Sequence, residues 1–424
     1  MIKYNNYFLH IIPFILVFFW DDLILDFILD DDNRPQIAIV YKVLIFLYPI
    51  VSVLFLRIFK QPLKYYFFFL VFYLIILVFE SLYKHGTFIV YPHVFEKVVQ
   101  IFVLFFFYGF YKTLGIKIEI KHIAVVIIVL ALLSILTVNQ SVFSLSAVQE
   151  IDRGLDAFTN YLLLLPLLFF LNRFLLYGEL KYLLFTIFAI GLVIFLQYRT
   201  VWASMIFCIP LNIFLVKVKC SNTLRFSKNL AANLIITGSM FVTMSVVIYL
   251  SILYFGEEYV NHVEDRFEDL INPEKEGSTS SWRLEQIESY APYVKENIID
   301  GMRFEGFELP IQFYNDVVDM PVFADMTGHH FHNQYLDTLF YFGIIGLFFY
   351  VIPILILFVF MVFNKKKYDI NTITLASFIF SILVFGFAWW YPQYIFALTG
   401  YLLVLMENQK SNGELQYPNS ANHF

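Results

Sequence analysis

Apolar residues recur along this chain in blocks of roughly 17 to 25 positions, separated by short polar or charged stretches. A block of that length, wound as a helix, crosses about 30 Å of hydrocarbon, and the pattern predicts about twelve such helices. They fall near residues 4–20, 37–57, 64–80, 93–111, 122–139, 159–177, 181–197, 201–216, 230–255, 335–363, 371–387 and 391–406. The long interruption is residues 256–334, where Val260, Val263, Phe267 and Leu270 repeat at helical spacing. After the breakers Asn272-Pro273 and Gly277-Ser278-Thr279, a second helix is predicted from Ser281. It carries Leu284, Ile287, Ala291, Val294 and Ile298 on one face, with a kink at Pro292. Two amphipathic helices lying against a membrane domain are expected there, then an irregular stretch to Gly328.

The predicted fold class is therefore all-α and polytopic. Residues 1–255 form transmembrane helices 1–9, 256–334 a large loop, 335–406 helices 10–12, and 407–424 a short polar tail. Composition agrees, with 60% hydrophobic, 20% aromatic and 15% charged residues, against about 25% charged in soluble domains. The first block follows Lys3 and has no small-residue cleavage site before Asp21-Asp22, so it reads as a retained anchor. Cys208 lies in a span and Cys220 in a basic loop, which is no disulfide framework.

Charge orients the spans. Alternate loops are basic: Arg57, Lys60 and Lys64; Lys112, Lys117 and Lys121; Arg173 and Lys181; Lys217, Lys219, Arg225 and Lys228; Lys365 to Lys367. The positive-inside rule assigns them to the cytoplasm. An even number of spans then returns both termini there and leaves residues 256–334 on the outer side.

At the end of that loop stands GHHFHNQYLDTLFYFGIIG, Gly328 to Gly346, which holds three of the nine histidines at one membrane boundary. Neutral His332 suits a general base, because an imidazole titrates near pH 6.5 and accepts a hydroxyl proton at about pH 7. His329, His330 and His332 with Asp325 are alternatively metal ligands, although no HExxH pattern is present. A third reading leaves them as plain interfacial histidines.

Three cations are unusual on the outer side. Arg199 lies in QYRT, a turn too tight for a solvated loop, where it either snorkels or meets an anion. Arg283 follows Trp282 in the first turn of a loop helix, beside free backbone N–H groups; the bland reading pairs it with Glu285 or Glu288. Arg153, in QEIDRGLDAFTN, has Asp152 and Asp156 as simple partners. The acid pairs Glu257-Glu258, Glu264-Asp265 and Glu268-Asp269 repel anions, so an anionic substrate is held only where arginines converge. The aspartates of residues 21–32 read as divalent-cation ligands or, more simply, as a solvated edge.

Arg199 in its turn, Arg283 near a tryptophan, and His332-Asn333-Gln334-Tyr335-Leu336 running into Gly343-Ile344-Ile345-Gly346-Leu347 together resemble the O-antigen polymerase and O-antigen ligase superfamily, over about residues 150–347. The resemblance implies an inner-membrane glycosyltransferase of GT-C type with both termini cytoplasmic and a periplasmic active site. It implies transfer of an undecaprenyl-diphosphate-linked glycan with inversion, without metal or other cofactor and without nucleic acid. Arg199 and Arg283 would hold the diphosphate, and His332 would sit at the acceptor as catalytic residues. Arg153, Asn333 and His330 would be substrate contacts, and a chain-length regulator is a candidate partner. Polymerase is favoured over ligase, because the aromatic first half matches no ligase pattern; a lipid-linked glycan flippase is the non-enzymatic alternative.

Overall fold

The structure, a computed structural model, describes residues 5–18, 45–137, 155–196, 198–220, single helical positions between 232 and 246, 281–310, 312, 314–315, 320–321 and 331–408. Its helices are α1 (Asn5–Phe18), α2 (Gln61–His85), α3 (Pro92–Val99), α4 (Phe102–Leu114), α5 (Ile120–Thr137), α6 (Ala157–Leu162), α7 (Leu164–Tyr177), α8 (Leu180–Phe195), α9 (Arg199–Lys219), α10 (Ser281–Glu296), α11 (Phe304–Glu308), α12 (Gln334–Phe363), α13 (Ile370–Phe385) and α14 (Gln393–Asn408). Residues 45–53 are also helical. The all-helical expectation needs one small addition, an antiparallel pair of two-residue strands, β1 (Tyr314–Asn315) and β2 (Met320–Pro321).

Among the described residues, Gln61–His85, Pro92–Leu114, Ala157–Tyr177, Arg199–Lys219 and Gln334–Phe363 are long and apolar enough to cross a membrane, and Ile120–Leu136, Leu180–Phe195 and Ile370–Phe385 are shorter apolar helices. The chain is a multi-pass membrane protein. Starts are set by side chains that accept from first-turn amides: Asp156 from Thr159 for α6 and Asp369 from Thr372 for α13.

The core sits on α13 and α14, which are buried on nearly every side. Where α14 crosses α4, a Cβ on Gly400 would stand 2.2 Å from the Leu104 carbonyl oxygen, so the small residue lets the two backbones touch. Asn172 on α7 donates to Asn212 on α9 at 3.0 Å and to Thr374 on α13 at 2.7 Å, while Asn212 donates back at 2.7 Å. These buried amides join three helices where apolar packing alone gives no driving force over lipid. At the periphery, α2 exposes Tyr65, Phe68, Phe72 and Phe79, as a lipid-facing helix should.

The basic loops gather at one end of the bundle. Lys60 and Lys112 both meet Glu407, Lys117 meets Asp369, and Lys219, Lys366 and Lys367 donate to the carbonyls of Asn364, Met406 and Val218. Helix C-terminal carbonyls carry partial negative charge, so lysines there are favourably placed. His332 lies at the opposite end, beside the turn that joins α13 to α14.

One predicted span is not continuous. At that end Gln334 donates its backbone N–H to Gly386 O, at the top of α13. The 30 residues of α12 would reach about 45 Å if straight, whereas the 16 residues of α13 rise only about 24 Å. The excess is absorbed by a break at Gly343 (φ 58, ψ −151), a conformation essentially restricted to glycine. The freed groups bond to residues 298–303: Met302 N donates to Phe340 O (2.8 Å), Arg303 N to Tyr341 O (3.0 Å), Ile344 N to Ile298 O (2.8 Å) and Ile345 N to Ile299 O (3.2 Å). Broken helices at membrane depth must satisfy their backbone in this way.

Helix α10 starts at Ser281 as expected and continues through Pro292 to Glu296, and its predicted face is met in part, with Val294 buried and Ile287 packed half-buried against the core. Gln286, Tyr290 and Val294 are buried, while Leu284 and Ile298 are exposed. The reason is tertiary: Tyr290 packs edge-on against Phe331 and Phe340, and its hydroxyl accepts from Gln312 N at 3.0 Å. The predicted helix carrying Val260 to Leu270 lies outside the described residues.

Candidate active site

His332 is placed by its neighbours. Phe331 is buried between Tyr290 and Phe340, with ring centroids 4.9 Å from each, which pins the chain one residue before. Asn333 caps α12, its side-chain oxygen accepting from Tyr335 N (2.9 Å) and Leu336 N (3.0 Å), a bond pattern worth about 1 kcal/mol to a helix start. Gln334, fully buried, donates to Thr338 Oγ1 at 2.8 Å and accepts from Tyr391 N at 2.7 Å. Between these anchors the His332 ring stands edge-on to Trp389, centroids 5.1 Å apart, and near Trp390 at 6.1 Å.

Arg199 is the first residue of α9 and is half-buried. Its turn is fixed on both sides, by Tyr198 donating its hydroxyl to Leu155 O (2.8 Å) and by the Trp202 indole donating to Val193 O (3.1 Å). From Leu155 the chain enters α6, whose Phe158 ring lies 5.5 Å from Trp389 and 4.9 Å from Trp390. The turn of Arg199 is thus tied to the segment that leads into α6, and Phe158 of α6 packs on the same Trp389–Trp390 pair as His332. Tyr394 locks that cluster by donating to Phe158 O at 2.9 Å.

Arg283 sits in the first turn of α10, half-buried, on the helix whose Tyr290 holds Phe331. All three residues expected to be catalytic are therefore on elements joined by contacts at one end of the bundle. Arg153 and His330 lie outside the described residues, as do His329, Asp325 and the aspartates of residues 21–32. Among the described residues, no three His, Cys, Asp or Glu side chains come together as metal ligands.

Two features at this end escape a reading by sequence pattern. Lys97 on α3 donates to both carboxylate oxygens of Asp337 at 2.7 Å, with side chains only 16% and 6% exposed, and its ammonium stands 4.9 Å from the Tyr341 ring centroid. The signal was available, since a lone lysine and a lone aspartate inside apolar spans mark a functional or paired position. The second is a surface network, Lys84–Glu80, Lys84–Glu305, Arg303–Glu80 and Arg303–Asp300, all between 2.6 and 3.2 Å. Arg303 there holds a positive φ of 48°. The Glu305 carboxyl is held below its ordinary range, chiefly by the hydrogen bond from Lys84.

No curated protein matches the chain. Residues 164–351, from the start of α7 through the break in α12, match the family model described as O-antigen ligase. Arg199, Arg283 and His332 all fall inside this stretch, and Arg153 precedes it. The protein is a multi-pass membrane protein, and its residues 164–351, somewhat less than half of the chain, are similar to the O-antigen ligase family.

Proposed function

We propose that this protein is a surface-polysaccharide polymerase that joins undecaprenyl-diphosphate-linked repeat units at the periplasmic face of a bacterial inner membrane. The observation that carries the reading is the link from the Arg199 turn through Leu155 to α6, whose Phe158 shares the Trp389–Trp390 pair with His332, at the end opposite the basic loops. In this reading the architecture is GT-C type with twelve spans. Residues 1–255 and 335–406 form the membrane domain, 256–334 the periplasmic loop and 407–424 the cytoplasmic tail.

The chemistry asks for two things. A sugar hydroxyl is a poor nucleophile until a base takes its proton, the role given to His332. Its oxygen attacks the anomeric carbon from the face opposite the lipid diphosphate. The C–O bond to phosphate breaks with inversion, and the diphosphate departs with the bonding electrons. Arg199 and Arg283 neutralise that charge as it develops, so no acid or metal is needed. Asn333, with its oxygen engaged in capping, offers the acceptor its amide nitrogen; His330 and Arg153 are further contacts to sugar and phosphate. A flippase is less suited. Transporter sites use broken helices whose unwound backbone faces cargo, whereas the groups freed at Gly343 bond to residues 298–303.

The second reading, favoured by the description of the matched family, is a ligase that transfers the finished glycan to the lipid A core. Deleting the gene and running surface glycan on a gel separates them. A single repeat retained on lipid A with no ladder supports polymerase; total loss with lipid-linked polymer accumulating supports ligase. Unchanged glycan rejects both.

A further inference from the structure

His332 and Asn333 stand at the head of a short helix, Gln334–Phe342, cut off from the rest of α12 by the break at Gly343. Beyond the break, α12 is fixed on its own, by Tyr66 donating to Phe349 O (2.5 Å) and Tyr350 donating to Lys97 O. The short helix does not inherit its direction from that part. Its head is tied to the turn between α13 and α14 through Gln334. Its far end is tied to residues 298–303. What remains is its rotation between those ties, and there Asp337 takes both hydrogen bonds from Lys97.

We propose that Lys97 and Asp337 are positioning residues, which set the short helix and so hold His332 against Trp389. Two charges this buried are kept only as a pair, because removing either leaves the other desolvated. A bidentate contact fixes direction as well as distance. Lys97 lies outside residues 164–351 and Asp337 inside them. The aromatic first half thus supplies a group that orders the site of the matched domain, and is more than an anchor. The kinetic part of this inference rests on the glycosyl-transfer reading; its structural part does not.

The test uses full-length protein in nanodiscs and two readouts. The first is kcat and KM with lipid-linked repeat unit extracted from the gene-deleted host. The second is the quenching of tryptophan fluorescence on acidification, as a protonated imidazole near Trp389 quenches it; the part lost in His332→Gln reports that contact. Lys97→Met and Asp337→Asn are each expected to lower kcat at least tenfold with KM within twofold, and to halve the His332-dependent quench. Lys97→Arg, which keeps a cation able to donate to both carboxylate oxygens, should stay within threefold of the parent. Should the neutral variants not insert, Asp337→Glu keeps the pair but lengthens it by one methylene, and at least a threefold loss of kcat with a weaker quench is expected. Parental kcat and quench in Asp337→Asn or Asp337→Glu would overturn the proposal, as would losses that only track the amount of folded protein. If His332→Gln itself retains full transfer, the base assignment fails, and the quench alone decides the positioning claim.

Discussion

The two ends of the bundle use charge in different ways. At the lysine-rich end, cations meet Glu407, Asp369 and the last carbonyls of helices, an arrangement any well-oriented helical membrane protein can adopt. At the His332 end, charges are spent on holding irregular backbone: Arg303 at positive φ between Glu80 and Asp300, and Asp337 in the first turn of a broken helix. One end is arranged for orientation and stability. The other carries a conformation that costs free energy and is held in place by specific partners, as expected where a structure does chemistry.

Substitutions should separate the ends. The largest effect on stability is expected from Gly343→Val: an added Cβ would lie 2.5 Å from the Ile299 carbonyl, in a backbone region closed to side chains. A loss of about 3 kcal/mol or more in thermal unfolding is expected, with transfer abolished. Gln334→Leu comes next. It leaves the buried Tyr391 N–H without its acceptor, for a loss of about 2 kcal/mol and a change in the surroundings of Trp389 visible in fluorescence. At the lysine-rich end, Glu407→Gln removes a carboxylate shared by Lys60 and Lys112. It should cost about 1 kcal/mol and leave kcat unchanged. If it lowers kcat or changes the Trp389 fluorescence as Gln334→Leu does, the division between the ends is wrong.

The smallest effect is a pH dependence. The folded carboxyl of Glu305 titrates below its unfolded value of about 4.3, so its stabilisation is present above that value and is lost as pH falls through the lower folded one. The side chain is 61% exposed, so Glu305→Gln should differ from the parent by only a few tenths of a kcal/mol at neutral pH. The difference should vanish in acid.

Much of this was legible in the sequence. Span positions follow from block length and hydropathy, which act locally, and Arg199 and Arg283 fall at helix starts where turn and cap signals place them. The break in α12 was not legible, because Gly343-Ile344-Ile345-Gly346 reads as one more apolar turn and the segment that receives its freed groups lies at residues 298–303. The face of α10 was legible only in part for the same kind of reason: Ile287 and Val294 pack inward as apolar spacing has it, but Leu284 is exposed and Phe331 and Phe340 select Tyr290. Asp337 was legible as a charge at an apolar span, but its partner, 240 positions away, was not.

The central claim is that the His332 end performs glycosyl transfer with His332 as the base. It is tested most directly by restoring the deleted gene as His332→Ala and following polymer on a gel beside the amount of inserted protein. The account predicts parental insertion with no polymer, and a single repeat retained on lipid A. A normal ladder from His332→Ala at parental expression would contradict it.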